Sequence, residues 1–301
     1  MDKIGGGCDR MLAQLELAVG FGLVTSAIVC LAAVGLSLQF GITNYVNFAF
    51  GEVLALGAYF TLLIRQAVPS FWAAAALAVL ATGIAAVGLN RLLLQPFVNR
   101  RASTLSMLIV TFALSLILQS AIQGFAGPDF RSFGLAPSHG YSFAGLRFTA
   151  RQIAVIVIAA VAMVALHLTL TRTWLGKAMR AVSDDRDLAR VCGIRSRRIT
   201  DYTWLITGLF GGAAGIFLAL SIDNFSPYFG SEFLFVVFAA VILGGIGRPY
   251  GAMAGALLVG LSTEVSAVFI NPAYKEAVAF AIGVIVLLFK PNGLFNIRGK
   301  A

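Results

Sequence analysis

Charged side chains are scarce in this sequence. Asp, Glu, Lys and Arg make up 12% of its 301 residues, about half of what an ordinary soluble domain carries. Hydrophobic residues account for 59%, and the mean hydropathy is +0.90. In water much of that apolar area would have to be exposed, whereas in a bilayer it forms the outer surface. The composition therefore excludes a soluble globular protein and predicts an integral membrane protein.

Residues that build metal sites, disulfides and catalytic centres are also few. The two histidines and three cysteines have no spacing typical of a metal site or of a closely paired disulfide. The chain also lacks a G-x-x-x-x-G-K-[ST] phosphate loop. We therefore predict no metal site, no cofactor and no catalytic activity in this chain. The residues interpreted as structural are His139, His167, Cys8, Cys30 and Cys192.

Apolar stretches recur along the whole chain. A helix needs about 20 mostly apolar residues to cross the hydrocarbon core, and the polar stretches between these runs are too short for a soluble domain. The sequence predicts one domain, residues 1–301, that is an all-α polytopic bundle of about eight or nine transmembrane or re-entrant helices. The second stretch begins with polar residues and the seventh is short, so both are candidates for broken or re-entrant segments. The predicted spans are Val19 to Leu38, Asn44 to Ile64, Phe71 to Leu89, Thr104 to Phe125, Gln152 to Thr171, Tyr202 to Ser221, Phe233 to Gly247, Gly251 to Phe269 and Ala277 to Phe289.

Positive charge is concentrated in the loop between the fifth and sixth spans, about residues 172–200. Short, positively charged loops stay in the cytoplasm, so this loop is predicted to be cytoplasmic. Threading the nine spans then places Arg91, Arg248 and the C-terminal tail on the same side, and the N-terminus on the other. These loops explain the net charge of +9, so nucleic-acid binding is not predicted.

The same loop has the residues of an ordered helical pair. Ser183 or Asp184 is a suitable N-cap, and Gly193 is a suitable C′ residue after a short helix over about Asp185 to Cys192. A preceding helical segment is predicted over Gly176 to Val182. Such a pair can dock a partner protein, while the alternative is a solvated positive loop with no partner.

Polar residues within the spans are candidates for a transport path, because a buried carboxylate is costly in a bilayer. Glu52, Glu232 and Glu264 are such residues, and their alternative role is hydrogen bonding between helices. The i, i+3, i+7 spacing of Asn44, Asn47 and Gly51 predicts that these three residues share one helical face next to Glu52.

A weak internal repeat occurs at an offset of 180 residues. The two copies would have opposite orientations in the predicted threading, as in transporters built from inverted repeats with broken helices. The identical pairs are Ile42 and Ile222, Asn44 and Asn224, Glu52 and Glu232, and Leu54 and Leu234.

Taken together, several motifs resemble the LivH-like permease subunits of branched-chain amino-acid ABC importers. The resemblance covers most of the chain. Its motifs are Gly35-Leu36, Phe40-Gly41-Ile42, Asn47-Phe48-Ala49-Phe50-Gly51-Glu52, Leu56-Gly57-Ala58-Tyr59, Gly176-Lys177-Ala178-Met179-Arg180-Ala181-Val182, Cys192-Gly193-Ile194, Gly244-Gly245-Ile246-Gly247 with Gly251 and Gly255, and Phe289-Lys290-Pro291-Asn292-Gly293-Leu294-Phe295.

This resemblance implies a multi-pass permease of the bacterial inner membrane without enzymatic activity of its own. It implies separate cytoplasmic ATPase subunits that bind ATP, a second permease subunit in a homo- or heterodimer, and an extracytoplasmic solute-binding protein. The 172–200 loop would be the coupling loop that docks on the ATPase. Its predicted coupling residues are Gly176, Lys177, Arg180, Ala181, Asp184, Asp187, Ala189, Gly193 and Ile194.

The chain departs from the family pattern at two places. Asp187-Leu188-Ala189 stands where many members have a glutamate and two alanines, and Phe50 stands where many have histidine. The second departure widens the predicted solute from branched-chain amino acids to related small amides, urea-like or aromatic compounds. The alternative function is a stand-alone ion-coupled secondary transporter or channel, and a membrane-embedded enzyme ranks last. The substrate-path candidates are Asn44, Asn47, Phe50, Gly51, Glu52 and Glu232.

Overall fold

The computed structural model describes residues 5–100, 102–136, 140–143 and 146–289, and this part of the chain is mainly helical. The prediction of an all-α membrane bundle is confirmed. The ending from Lys290 onward, and His139, lie outside the described residues. The helices are α1 (Gly5–Thr43), α2 (Phe50–Arg65), α3 (Phe71–Leu89), α4 (Gln95–Asn99), α5 (Thr104–Ala126), α6 (Ala150–Arg172), α7 (Trp174–Asp184), α8 (Arg186–Val191), α9 (Ser196–Ile222), α10 (Phe229–Gly244), α11 (Pro249–Phe269) and α12 (Lys275–Phe289).

Each of the nine predicted spans contains a helix, but the helices differ in length. Among the described residues, six helical runs are long and apolar enough to cross a membrane. The helices α2, α10 and α12 are shorter, at 16, 16 and 15 residues. The six long runs are Gln14–Thr43, Phe71–Asn99, Thr104–Ala126, Ala150–Arg172, Ser196–Ile222 and Pro249–Phe269.

Two of the short helices follow breaks in the chain. Helix α1 ends at Thr43, Asn44 has a φ of 57°, and α2 begins only at Phe50. Likewise α9 ends at Ile222, Asp223 has a φ of 62°, and α10 begins at Phe229. Positive φ interrupts a right-handed helix, and Asn and Asp adopt it more readily than most residues. The broken entry predicted for the second span is therefore present, and the helix starts later than Asn44.

The two breaks belong to an internal repeat. Helices α1, α2 and α3 correspond in order and position to α9, α10 and α11, shifted by about 180 residues. Helix α1 packs extensively on α11, and the equivalent pair α9 and α3 also packs extensively. The weak sequence repeat thus coincides with a repeat of elements and of their contacts.

Two local features were not predicted. Helix α3 does not end near Leu89 as a span but continues through a π-helical turn, Asn90–Leu94, into α4. On this turn Arg91 donates to the Asp201 carboxylate of α9 at 2.8 Å. Between α5 and α6, the strands β1 (Gly140–Phe143) and β2 (Leu146–Thr149) form a short antiparallel hairpin. Both features depend on packing between segments rather than on local hydrophobicity.

Candidate functional site: a broken-helix junction and a capped surface helix

The N-terminal ends of α2 and α10 meet inside the bundle. Their backbones touch at Gly51 and Gly230: a Cβ on Gly51 would lie 2.9 Å from the Gly230 carbonyl oxygen, and a Cβ on Gly230 would overlap that of Gly51. From there the helices run in opposite directions. The last residue of α2, Arg65, donates to the Phe133 carbonyl in the α5–α6 connection. Helix α10 instead ends near Gly247, which contacts Gly41 beside the α7 surface.

Glu52 lies at this junction. It is fully buried, and its Oε1 atom accepts hydrogen bonds from Ser231 of α10 and, at 3.2 Å, from Ser115 of α5. Glu52 and Ser231 each occupy the third position of their helix, where the partial positive charge of a helix N-terminus stabilises an anion. Its Oε2 atom has no hydrogen-bond partner among the described residues. A carboxylate oxygen is therefore presented at the point where two half-helices begin.

The predicted helical face of Asn44, Asn47 and Gly51 is wrong. Residues 44–49 are not α-helical, so helical spacing does not apply to them. Asn44 is exposed, whereas Asn47 is buried. Asn47 donates to Gln39 Oε1 at 3.3 Å and accepts from the backbone N–H of Ala49 at 3.1 Å. This amide therefore orders the turn that leads into α2.

Phe50 also has a structural position. Its side chain is fully buried, and its ring lies next to two glycines of neighbouring helices. An added Cβ would be 3.4 Å from the ring at Gly35 and 3.2 Å from it at Gly211. The aromatic ring thus fills the space that these glycines leave between α1 and α9.

The two other predicted carboxylates are not brought to Glu52. Glu232 is exposed, and it is its neighbour Ser231 that reaches the junction. Glu264 pairs with Lys275 at 2.6 Å and accepts from Thr25 at 3.1 Å. Neither carboxylate has the free, buried oxygen that Glu52 presents.

Sequence reasoning missed the contribution of α5. Ser115 binds Glu52, and Gln119 donates to Ser231 at 3.3 Å. One turn earlier, Thr111 donates to the Val46 carbonyl at 3.3 Å. The signal was present, because three polar residues at intervals of four in an apolar span lie on one side of a helix.

The cytoplasmic loop is a helical pair, as predicted, but its boundaries differ. Helix α7 runs to Asp184, and Asp185, not Ser183 or Asp184, is the N-cap of α8. The Asp185 side chain accepts from the backbone N–H groups of Asp187 and Leu188, each at 2.9 Å. The aspartate therefore both ends the first helix and begins the second.

Gly193 ends α8 in the predicted manner. It has a φ of 81°, its N–H donates to the Arg190 carbonyl, and the N–H of Ile194 donates to that of Ala189. These two bonds form a Schellman cap. Ala189 is buried and Ile194 is half-buried, so the cap also anchors the end of α8 against the bundle.

Helix α7 joins this surface to α1 and α6. Ser183 donates to the Gly41 carbonyl at 2.7 Å, and Arg180 donates to the Leu170 carbonyl at 2.5 Å. Gly176 faces the backbone of Leu170 so closely that a side chain would overlap it. Ala181 is half-buried and Lys177 is exposed. The loop is therefore packed onto the bundle near the end of α1.

The outer side of α8 exposes apolar residues. Leu188 is 60% exposed and Val191 is 84% exposed, and the two are one turn apart. Asp187 and Arg190 form an exposed ion pair at 3.3 Å beside them. Arg186 is partly buried and donates to Thr200 at 3.3 Å, and burial lowers the pKa of its guanidinium group. An anchored helix with an apolar outer surface is suited to docking another protein.

Comparison with known proteins identifies this arrangement. A family model described as the permease component of branched-chain amino acid transport systems matches residues 18–287. The chain belongs to this family. It is a multi-pass membrane permease, and the matched region includes both half-helices and the α7–α8 surface.

Relatives of the permease match it over nearly their whole length. The high-affinity branched-chain amino acid permease protein BraD of Pseudomonas aeruginosa is 29% identical over 289 residues, covering 91% of this chain and 94% of the relative. LivH of Escherichia coli is 27% identical, covering 91% and 93%. Among solved structures, PsaBC from Streptococcus pneumoniae in complex with Fab aligns at 13% identity with a TM-score of 0.48, covering 94% of this chain and 93% of that one.

Proposed function

We propose that this permease is the transmembrane subunit of an ABC importer for branched-chain amino acids or a chemically related small solute. ATP is bound and hydrolysed by separate cytoplasmic ATPase subunits. The permease pairs with a second permease, of the same or another sequence, and receives its solute from an extracytoplasmic binding protein. The named functions of BraD and LivH support this assignment.

The observation that carries the proposal is the anchored helix α8. Its N-cap and its Schellman cap fix both ends of the helix, while Leu188 and Val191 remain exposed. The preceding helix is bonded to the end of α1 through Ser183 and Gly41. A displacement of α8 by an ATPase would therefore be passed as a rigid movement to the helix that leads into the Glu52 junction.

The position of Phe50 supports an amino-acid solute. The departure from histidine at this position suggested other solutes, but the Phe50 ring is buried between Gly35 and Gly211. The change therefore bears on helix packing rather than on solute contact. A branched-chain amino acid remains the solute that the relatives favour.

The test uses two substitutions at Gly193. Valine is strained at a φ of 81° and would disturb the cap, whereas asparagine tolerates this backbone. No atom lies within 4 Å of an added Cβ, so neither side chain clashes. We expect Gly193→Asn to co-purify with the ATPase subunits and to import leucine, and Gly193→Val to lose ATPase association or coupling while remaining folded in the membrane.

The measurements are co-purification in mild detergent, ATPase activity, and leucine uptake by proteoliposomes. Normal ATP-driven import by Gly193→Val would refute the role of this loop. Uptake by the wild-type permease alone, driven by an ion gradient, would instead support a secondary transporter.

A further inference from the structure

A polar seam runs along α5. Thr111, Ser115 and Gln119 are one turn apart, and each bonds to a different part of the broken-helix junction. Their partners are the Val46 carbonyl before α2, Glu52 in α2, and Ser231 in α10. At about 1.5 Å per residue, the three positions span roughly 12 Å of helix. This is a large part of a hydrocarbon core that is about 30 Å thick.

The free oxygen of Glu52 points to a ligand at this seam. Glu52 is fully buried, and its Oε2 atom lacks a hydrogen-bond partner in the described chain. The hydroxyl groups of Ser115 and Ser231 already bind the other oxygen. A buried carboxylate needs pairing or further hydrogen bonds. An ammonium group would supply both the missing donor and the missing positive charge.

An apolar recess adjoins the same seam. It has a volume of about 260 Å³. Val46 connects the two features, because its carbonyl accepts the Thr111 bond while the residue also lines the recess. The Phe48 ring packs edge-on against Phe112 of α5 at 6.0 Å. An aliphatic side chain next to a bound ammonium group would therefore find an apolar surface. The residues lining the recess include Leu36, Phe40, Val46, Phe48, Phe235 and Phe238.

Helix α5 is held loosely enough to open this seam. Of its 23 residues, four are buried, and its main packing partner in the described chain is α2. Light packing lowers the free energy needed for a local movement. Ser115 and Gln119 are half-buried even in the closed arrangement, so a small displacement of α5 would expose Glu52.

We propose that the seam between α5 and the N-terminal ends of α2 and α10 is the solute path of this subunit. The ammonium group of an apolar amino acid binds Oε2 of Glu52, and its side chain contacts the recess at Phe48. Ser115 and Gln119 border the path from α5. This inference rests on the proposed import function, and it assigns that function to particular residues.

The test measures the reactivity of single cysteines in the assembled transporter. Cys8, Cys30 and Cys192 are replaced by alanine, and Ser115→Cys or Gln119→Cys is introduced. The matched control is Ile117→Cys, which lies about 200° around α5 from both positions and is 65% exposed. The complex with its ATPase is reconstituted in proteoliposomes and treated with a membrane-impermeant cationic methanethiosulfonate reagent, with and without ATP.

We expect the cysteines at 115 and 119 to react in at least one nucleotide state, to be protected by leucine, and to react at least tenfold faster than the control. Reactivity at 115 and 119 no greater than at 117 in every state would overturn the proposal. Glu52→Gln provides a second measurement, with expected retention of ATPase activity and at least a tenfold loss of leucine uptake. Wild-type uptake by this variant would also overturn it. Failure of the unmodified chain to associate with any ATPase would instead refute the proposed import function.

Discussion

The contact between Gly51 and Gly230 yields a graded prediction for three alanine substitutions. At Gly51 the new Cβ would lie 2.9 Å from the Gly230 carbonyl oxygen, which is 0.5 Å inside the 3.4 Å where ordinary contact begins (3.4 − 2.9 = 0.5). At Gly230 the overlap with the Gly51 carbonyl is larger. At Gly88, in α3, no atom lies within 4 Å. The three positions therefore differ in the space available for one methyl group.

The expected destabilisation follows that order. Overpacking a close contact costs about 1–3 kcal/mol, whereas replacing a helical glycine with alanine favours the helix by roughly 0.8–1.0 kcal/mol. We expect Gly88→Ala to equal or exceed the wild type in stability. Relative to Gly88→Ala, Gly51→Ala should lose about 1 kcal/mol and Gly230→Ala about 3 kcal/mol. These losses correspond to roughly 5-fold and 140-fold changes in the unfolding equilibrium.

The assay is unfolding of the purified permease by SDS in mixed micelles, which gives the free energy of unfolding for each variant. Leucine uptake is measured in parallel, because a displaced α10 would also move Ser231 away from Glu52. Equal stability of Gly230→Ala and Gly88→Ala would show that the two backbones do not approach as described.

Two further substitutions test the surface helix and the first break. Leu188→Glu and Val191→Glu are expected to weaken ATPase association roughly tenfold or more without loss of folding, since both residues are exposed. Phe125→Glu, at the opposite end of the bundle and 95% exposed, is the control in the same pull-down, and equal binding by all variants would contradict the docking surface. Asn44→Val should cost about 1–2 kcal/mol because of its left-handed backbone, whereas Asn44→Gly should be tolerated. The SDS titration measures both, and equal stability would contradict a positive φ at this position.

The features that the sequence predicted are those that local patterns determine. Apolar runs located all nine spans, and the Gly193 cap followed from a glycine after a short polar helix. The N-cap was misplaced by one residue, because Ser183, Asp184 and Asp185 are all good capping residues. Only the close of α7 determines that Asp185 is used.

The site depended on contacts that no local pattern contains. Asn44 fits a helical face until its backbone turns left-handed, and the apparent partner Glu232 points away while Ser231 approaches Glu52. The bond from Ser115 to Glu52 joins positions 63 residues apart. Its existence follows from how α2, α5 and α10 pack together, which hydrophobic periodicity does not specify.

The shortness of α2 has a consequence for how the chain enters the membrane. A 16-residue helix is only about 24 Å long, shorter than the hydrocarbon core, and it carries a carboxylate. Alone, it is a poor candidate for insertion during synthesis. The α9 and α10 surfaces that cover it are translated more than a hundred residues later. The first half of the permease therefore waits in the bilayer with an unfinished hairpin, and its biogenesis depends on the arrival of the second half.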